Sequence, residues 1–209
     1  MTTTNAPNKR ILPRIVPPNE TPSVPFIDGQ LHIGLQVDDG AVVRPVTESD
    51  LLEWRTSVEA LLPEALQALA NDTDWREWQV VHTVPGMELY LAGDGLSSSR
   101  MLVLDNLVYA WPLGGIVIAI PSADQLMAVR LDSIDDLDAL NVMVTAAFYA
   151  HGQAEKGLTD QVFWNDGERW RHLRVVHGST LVEIDPPAAF VEAVGRLAAM
   201  DMVATAGEA

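Results

Sequence analysis

Three pairs of strand-like segments, each joined by a short turn, constrain the fold of this sequence more than any other feature. Residues 31–37 alternate apolar and polar side chains, as a half-buried strand does, and residues 38–40 turn the chain into residues 41–44. The other two pairs are residues 79–84 with 87–92 and residues 158–164 with 168–176. Strands joined by turns this short run antiparallel. The sequence therefore predicts a mixed or antiparallel sheet built from hairpins.

Three segments of helical periodicity complete an α+β pattern. The first follows Thr47, a good N-cap, and Pro63 predicts a kink or a junction of two helices within it. The second follows Ser133, which we expect to cap it, and the third follows residues 185–187. The face of the second helix predicted to be buried consists of Ile134, Leu137, Asn141, Val144 and Phe148. We expect these three helices to pack on the sheet in a single α+β domain over residues 26–202, with a frayed C-terminus over residues 203–209.

Residues 1–25 differ from the rest of the chain and are predicted to be an extended, proline-rich tail. They contain six prolines, which disfavour a helix or a central strand. They are also mildly basic, whereas the whole chain has a net charge of -16. The tail either lies across its own domain or is a free arm that orders on a partner. In both cases its apolar residues, with Ile11 and Ile15 among them, are candidate contact residues.

Charge and cysteine content exclude several classes of function. The chain has no cysteine, so disulfides, thiolate nucleophiles and cysteine-ligated metal sites are excluded. A net charge of -16 repels phosphate backbones and disfavours nucleic-acid binding. No apolar run reaches the length of a membrane span, and the polar N-terminal residues lack the apolar middle of a signal peptide. We therefore expect residence in the cytoplasm, no contact with nucleic acid or membrane, and a protein partner that can be basic.

The stretch "GDGLSSSRMLVLD", residues 93–105, is the most suggestive local motif. Its serines could supply a nucleophile, but they lack the glycine pattern of a nucleophile elbow. Its glycines could cradle a phosphate, but no Gly-Lys follows them. We interpret the stretch as a turn that leads into a buried element, with Arg100 pairing locally. The five histidines show no metal-ligand spacing, so we predict no catalytic residue, no metal site and no cofactor.

Three motifs in order resemble the YtpQ-like family, a domain family of unknown function. They are "VTESDLLEW" with "LLPEALQALAN" at residues 46–54 and 61–71, "GDGLSSSRMLVLD" at 93–105, and "VIAIPSADQLMAV" at 117–129. The resemblance covers residues 11–180 and implies a fold but no activity. The chain departs from the family pattern at Leu96, Ser97 and Ala123, where a tyrosine, an acidic residue and an arginine are expected.

Two pairs of charged residues are candidate binding sites. The resemblance places Arg100 and Asp124 at turns that border the same apolar strands, which predicts an ion pair acting as a structural latch or as a ligand anchor. Arg169 and Arg171 belong to the one basic cluster of the body. That cluster could bind a carboxylate or phosphate group, or it could balance the acidic surface.

From these features we expect a non-enzymatic cytoplasmic protein that acts through protein–protein interaction. An adaptor, a chaperone-like binder and a toxin-neutralising protein all fit. The alternative is a small-molecule-binding protein or a hydrolase-type enzyme with a pocket near Arg100 and Asp124. A closed polar pocket would favour the alternative, whereas an exposed apolar patch or groove would favour the interaction protein.

Overall fold

The computed structural model describes residues 9–27, 29–74, 76, 78–80, 84–178 and 182–207. The chain forms two compact units, where the sequence predicted one domain over residues 26–202. Unit 1 contains Met1–Trp75 and Ser98–Leu107, and unit 2 contains Arg76–Ser97 and Val108–Ala209. Both are built from antiparallel strand pairs and helices, so the α+β class is confirmed.

The sheet of unit 1 is organised around one long strand. Its strands are β1 (Arg10–Val16), β2 (Ser23–Ile27), β3 (Leu31–Asp38) and β4 (Val43–Pro45). β1 pairs along the whole of β3, while β2 and β4 share the other edge of β3. The predicted hairpin around residues 38–40 is therefore confirmed as β3 and β4.

The helices of unit 1 begin directly after β4. They are α1 (Glu48–Trp54), α2 (Val58–Asn71) and a 3-10 helix (Ser98–Asn106). Thr47 caps α1 in a capping box with Asp50, as its position in the sequence predicted. Two helices do meet in this region, but the junction lies at Arg55, which has a φ of 54°, and not at Pro63, which lies inside α2.

The prediction of a separate tail over residues 1–25 is not supported from Lys9 onward. β1 and β2 are ordinary strands of unit 1, and Leu12, Ile15 and Val16 are buried. The basic residues form ion pairs within the same unit: Lys9 with Asp39, Arg10 with Asp72, and Arg14 with Glu20. Residues 1–8 lie outside the described residues. The apolar and ionic contacts that we expected of a docked tail are therefore made by strands of the unit 1 sheet.

Unit 2 contains a seven-stranded antiparallel sheet of order β11-β10-β9-β7-β8-β6-β5. The strands are β5 (Trp78–Val80), β6 (Met87–Tyr90), β7 (Ile116–Ser122), β8 (Gln125–Arg130), β9 (Val162–Asn165), β10 (Trp170–His177) and β11 (Val182–Asp185). The remaining two predicted hairpins are confirmed as β5 with β6 and β9 with β10. Residues 81–83 of the first of these lie outside the described residues.

Two helices, α3 (Asp136–Gln153) and α4 (Ala188–Gly207), pack against one face of this sheet. Val117, Val129 and Trp164 project from the sheet into this core. α3 contributes Ala139, Leu140, Met143, Val144 and Ala147, and α4 contributes Phe190, Ala193 and Leu197. The predicted frayed end at residues 203–207 belongs to α4, and residues 208–209 lie outside the described residues.

The structure corrects two predictions about α3. Ser133 does not cap it; instead the Asp136 carboxylate accepts hydrogen bonds from the backbone N–H groups of Asp132 and Ser133, both at 2.8 Å. The predicted buried face is rotated, because Asn141 and Phe148 are exposed whereas Val144 is buried. The face that packs on the sheet contains Ala139 and Ala147 beside Leu140 and Met143.

Candidate functional site

The motif at residues 93–105 is structural. Asp94 closes a turn by accepting a hydrogen bond from Leu96 N at 3.0 Å. Ser97 Oγ accepts from Ala92 N and Ser99 Oγ accepts from Ile15 N, both at 3.1 Å. The second of these bonds satisfies an N–H group on the outer edge of β1. Both hydroxyl groups are buried and accept hydrogen bonds from the backbone. These bonds support the interpretation of the motif as a turn that leads into a buried element.

The predicted pair of Arg100 and Asp124 is divided between the two units. Arg100 lies in the 3-10 helix of unit 1 and is only 2% exposed. Asp124 lies at the exposed tip of the β7–β8 turn in unit 2. The ion pair between them stays a prediction.

A cleft of about 560 Å³ opens in unit 2 between the β7–β8 turn and the end of α3. Residues 122–125 form one wall, and residues 150 and 153–156 form the other. The two walls are joined by an isolated antiparallel bridge between Ser122 and Gly157. This bridge holds the β7–β8 turn beside the segment that follows α3.

Charged groups converge on this cleft. Asp124, Glu155 and Lys156 line it, and among the described residues of unit 2 none of the three side chains has a hydrogen-bond or ion-pair partner. The walls therefore present two carboxylates and one ammonium group to a molecule that enters.

The two arginines of the basic cluster have different surroundings. Arg169 is exposed on the turn before β10, where its side chain is accessible. Arg171 instead lies with its Cζ 5.0 Å from the centroid of the Trp164 ring and with Nη1 2.5 Å from Asp166 Oδ2. Partial burial alone would raise the pKa of Asp166, but the bond from Arg171 and two backbone N–H groups lower it to about 2. Arg171 therefore has a structural role.

The remaining predicted contact residues lie inside unit 1. Ile15 is 2% exposed in β1, and Ile11 packs at the edge of the core that includes Leu35 and Trp54. Both side chains therefore pack within unit 1.

The hydrogen bonds around His172 fix the position of one of its ring protons. Gln161 Oε1 accepts from Val175 N at 2.8 Å, so this atom is the amide oxygen, and His172 Nε2 lies 3.0 Å from it. Nε2 must therefore carry a hydrogen and donate. Among the described residues, no three His, Asp or Glu side chains approach closely enough to hold a metal ion.

The largest feature that sequence reasoning missed is an exposed apolar stripe on α3. Val142 is 45% exposed, Phe148 is 40% exposed and Tyr149 is 62% exposed. These residues lie opposite the face that packs on the sheet, so α3 is apolar on both sides. That two-sided pattern is the signal that could have revealed the stripe, because a helix on a sheet normally needs only one apolar face.

A groove of about 460 Å³ runs along this stripe. Its lining consists of Asn141, Val142, Thr145, Ala146 and Tyr149. Thr145 and Ala146 are small and lie between the larger side chains of Val142 and Tyr149. The stripe therefore offers a depression between two apolar walls.

α4 also has exposed apolar side chains. They are Val191, Met200, Met202 and Val203. Asp201, near the end of α4, accepts a hydrogen bond from Ile134 N just before α3, at 2.9 Å. The end of α4 therefore adjoins the start of α3. Within the described part of the chain, no helix has both the length and the apolar content needed to cross a bilayer.

No protein-family model, curated protein or solved structure matches this chain. The resemblance to the YtpQ-like family stays a prediction.

Proposed function

We propose that this chain is a cytoplasmic interaction protein that binds another protein through the outer surface of α3 and α4. The observation that carries the proposal is the exposed apolar side chains of these two helices, above all Val142 and Tyr149 beside the α3 groove. Exposed apolar patches on folded proteins mark interaction sites. Tyrosine is enriched at the centres of protein interfaces because one side chain supplies a large apolar area and a hydroxyl group.

The test is affinity capture from the native cell followed by mass spectrometry, with two matched variants. Val142→Asp places a charge in the groove, and Leu52→Asp places the same charge on exposed α1 in unit 1, where Leu52 is 79% exposed. A true partner is captured by the wild type and by Leu52→Asp and is lost with Val142→Asp. Equal capture by all three proteins would refute the proposal.

A second candidate function is binding of a small polar molecule in the Asp124 cleft. Its support is the open volume of about 560 Å³ together with the charged groups of Asp124, Glu155 and Lys156 that line it. Two carboxylates and an ammonium group suit a ligand that carries both charges, such as an amino acid. A thermal-shift screen with the free amino acids tests this candidate. A shift that Asp124→Asn removes would support it, and no shift at millimolar ligand would exclude it.

A further inference from the structure

The shape, the backbone and the charge of the α3 stripe together indicate what it binds. Val142 and Tyr149 are seven residues apart on one helix, which separates them by about 10 Å, or two helical turns. Between them the small residues Thr145 and Ala146 lower the surface of the groove. A groove of this length accommodates apolar side chains from successive turns of one partner element.

The backbone of α3 restricts the kind of element that can bind. Its N–H and C=O groups are used by the helix itself over Asp136–Gln153. A partner strand needs free N–H and C=O groups to pair with, and the middle of a helix offers none. A partner at this groove must therefore bind through side chains alone, as an amphipathic helix does when its apolar face enters a groove.

The charged residues beside the stripe indicate the sign of the charge that the partner carries. α3 contains no lysine or arginine. Asp138 lies one turn before Val142 on the exposed side, and Asp135 lies one turn earlier. Neither carboxylate forms a hydrogen bond or ion pair with a described residue. The groove thus has an apolar centre and an acidic end, in a protein whose net charge is -16.

We infer that the α3 groove receives a basic amphipathic helix from a partner protein, an inference that rests on the proposed function. Apolar residues of that helix, spaced three and four apart, lie between Val142 and Tyr149. Its lysines or arginines lie near Asp135 and Asp138. Attraction by the acidic surface speeds the encounter, and burial of the apolar face holds the complex.

The test uses three fluorescein-labelled synthetic peptides of 18 residues and measures fluorescence anisotropy. The first is an amphipathic helix of leucine and lysine, the second has the same composition without helical periodicity, and the third replaces each lysine by glutamate. The first should bind the wild type at least tenfold more tightly than either of the others. Equal binding of the two lysine peptides would overturn the inference, because it would show attraction by charge alone.

Four variants locate the binding. Val142→Asp should weaken the first peptide at least tenfold although it adds a negative charge, and Tyr149→Ser should weaken it in the same direction without any change of charge. Leu52→Asp should bind as the wild type does. Asp138→Asn should weaken binding severalfold and reduce its dependence on salt. Binding that strengthens with Val142→Asp, or that is unchanged with Tyr149→Ser, would contradict a site on α3.

The outcome also separates this inference from the proposed function. If Val142→Asp abolishes capture of a cellular partner while no peptide binds the wild type, the interaction surface stands and the basic helix is wrong. If the first peptide binds at the groove, the partner should contain a segment of that kind, and removal of the segment should abolish capture.

Discussion

Gly115 is the position at which one added methyl group should do most damage to unit 2. Its φ is 84°, and a Cβ there would overlap Asn165 O and lie 2.5 Å from Trp164 Nε1. That indole nitrogen donates to Gly114 O at 2.8 Å from a ring that is 2% exposed. Gly115→Ala therefore both strains the backbone and displaces a buried donor from its acceptor.

Gly93 provides a matched control because it shares the backbone conformation but not the crowding. Its φ is 71°, and a Cβ there would meet nothing within 4 Å. A left-handed conformation costs an alanine about 1–2 kcal/mol at either position. A buried donor without a partner adds about 1–3 kcal/mol at Gly115 only. The expected losses are thus about 1–2 kcal/mol for Gly93→Ala and about 2–5 kcal/mol for Gly115→Ala.

Urea unfolding followed by tryptophan fluorescence and by far-ultraviolet circular dichroism measures both losses. In the Gly115→Ala protein the Trp164 indole N–H should also exchange faster with solvent than in the Gly93→Ala protein. If the two variants lose stability equally, the close approach of Gly115 to Trp164 does not contribute and the reasoning fails.

Three further predictions concern polar groups. The hydrogen bond from Arg44 lowers the pKa of Asp50, so the stabilisation from this pair is present above the pKa of the unfolded carboxyl group and falls as the carboxylate is protonated. The stability difference between wild type and Asp50→Asn should therefore shrink on acidification. A double-mutant cycle with Arg44→Ala should show a favourable coupling at pH 7, and zero coupling would contradict the pair. Ser99→Ala should cost about 1–3 kcal/mol in urea unfolding and accelerate amide exchange at Ile15, and unchanged exchange there would disprove the bond. Burial raises the pKa of Glu88, and the positive charge of Arg130 offsets this only in part, so ionisation of Glu88 destabilises the fold as pH rises. The stability of Glu88→Gln relative to the wild type should therefore increase between pH 4 and pH 8. A difference in stability that does not change with pH would contradict this.

The hairpins could be predicted from the sequence because turn chemistry is local. Gly40, Gly86 and Gly167 have φ values of 82°, 85° and 96°, which only glycine adopts without strain. A glycine at such a position indicates the turn without any knowledge of the rest of the fold. The strand pairs on either side follow from the short connection.

β1 could not be predicted in the same way because its sequence contains Pro13. Proline is excluded from the interior of a sheet but is tolerated in an edge strand, where its missing N–H group breaks no ladder bond. β1 pairs only with β3 within its sheet, so it is such an edge strand. Whether a proline-containing segment becomes an edge strand or a tail depends on distant residues, here β3 and Ser99.

The prediction of which face of α3 is buried was wrong for a related reason. Phe148 has a strong apolar side chain and was assigned to the core, whereas Ala139 and Ala147 have weak hydrophobic signals and are buried. Both alanines pack on the sheet beside Leu140 and Met143, and only the three-dimensional contacts reveal which side of the helix faces the strands. The same error concealed the exposed stripe on which the proposed function rests.

Photo-crosslinking in the native cell tests the interaction surface most directly. Benzoylphenylalanine in place of Tyr149 keeps an aromatic group beside the groove, and the same residue in place of Leu52 is the control on exposed α1. After irradiation, the proposed function predicts a discrete covalent adduct with another protein from position 149 and none from position 52. The absence of an adduct at position 149, or the same adducts at both positions, would contradict binding through α3.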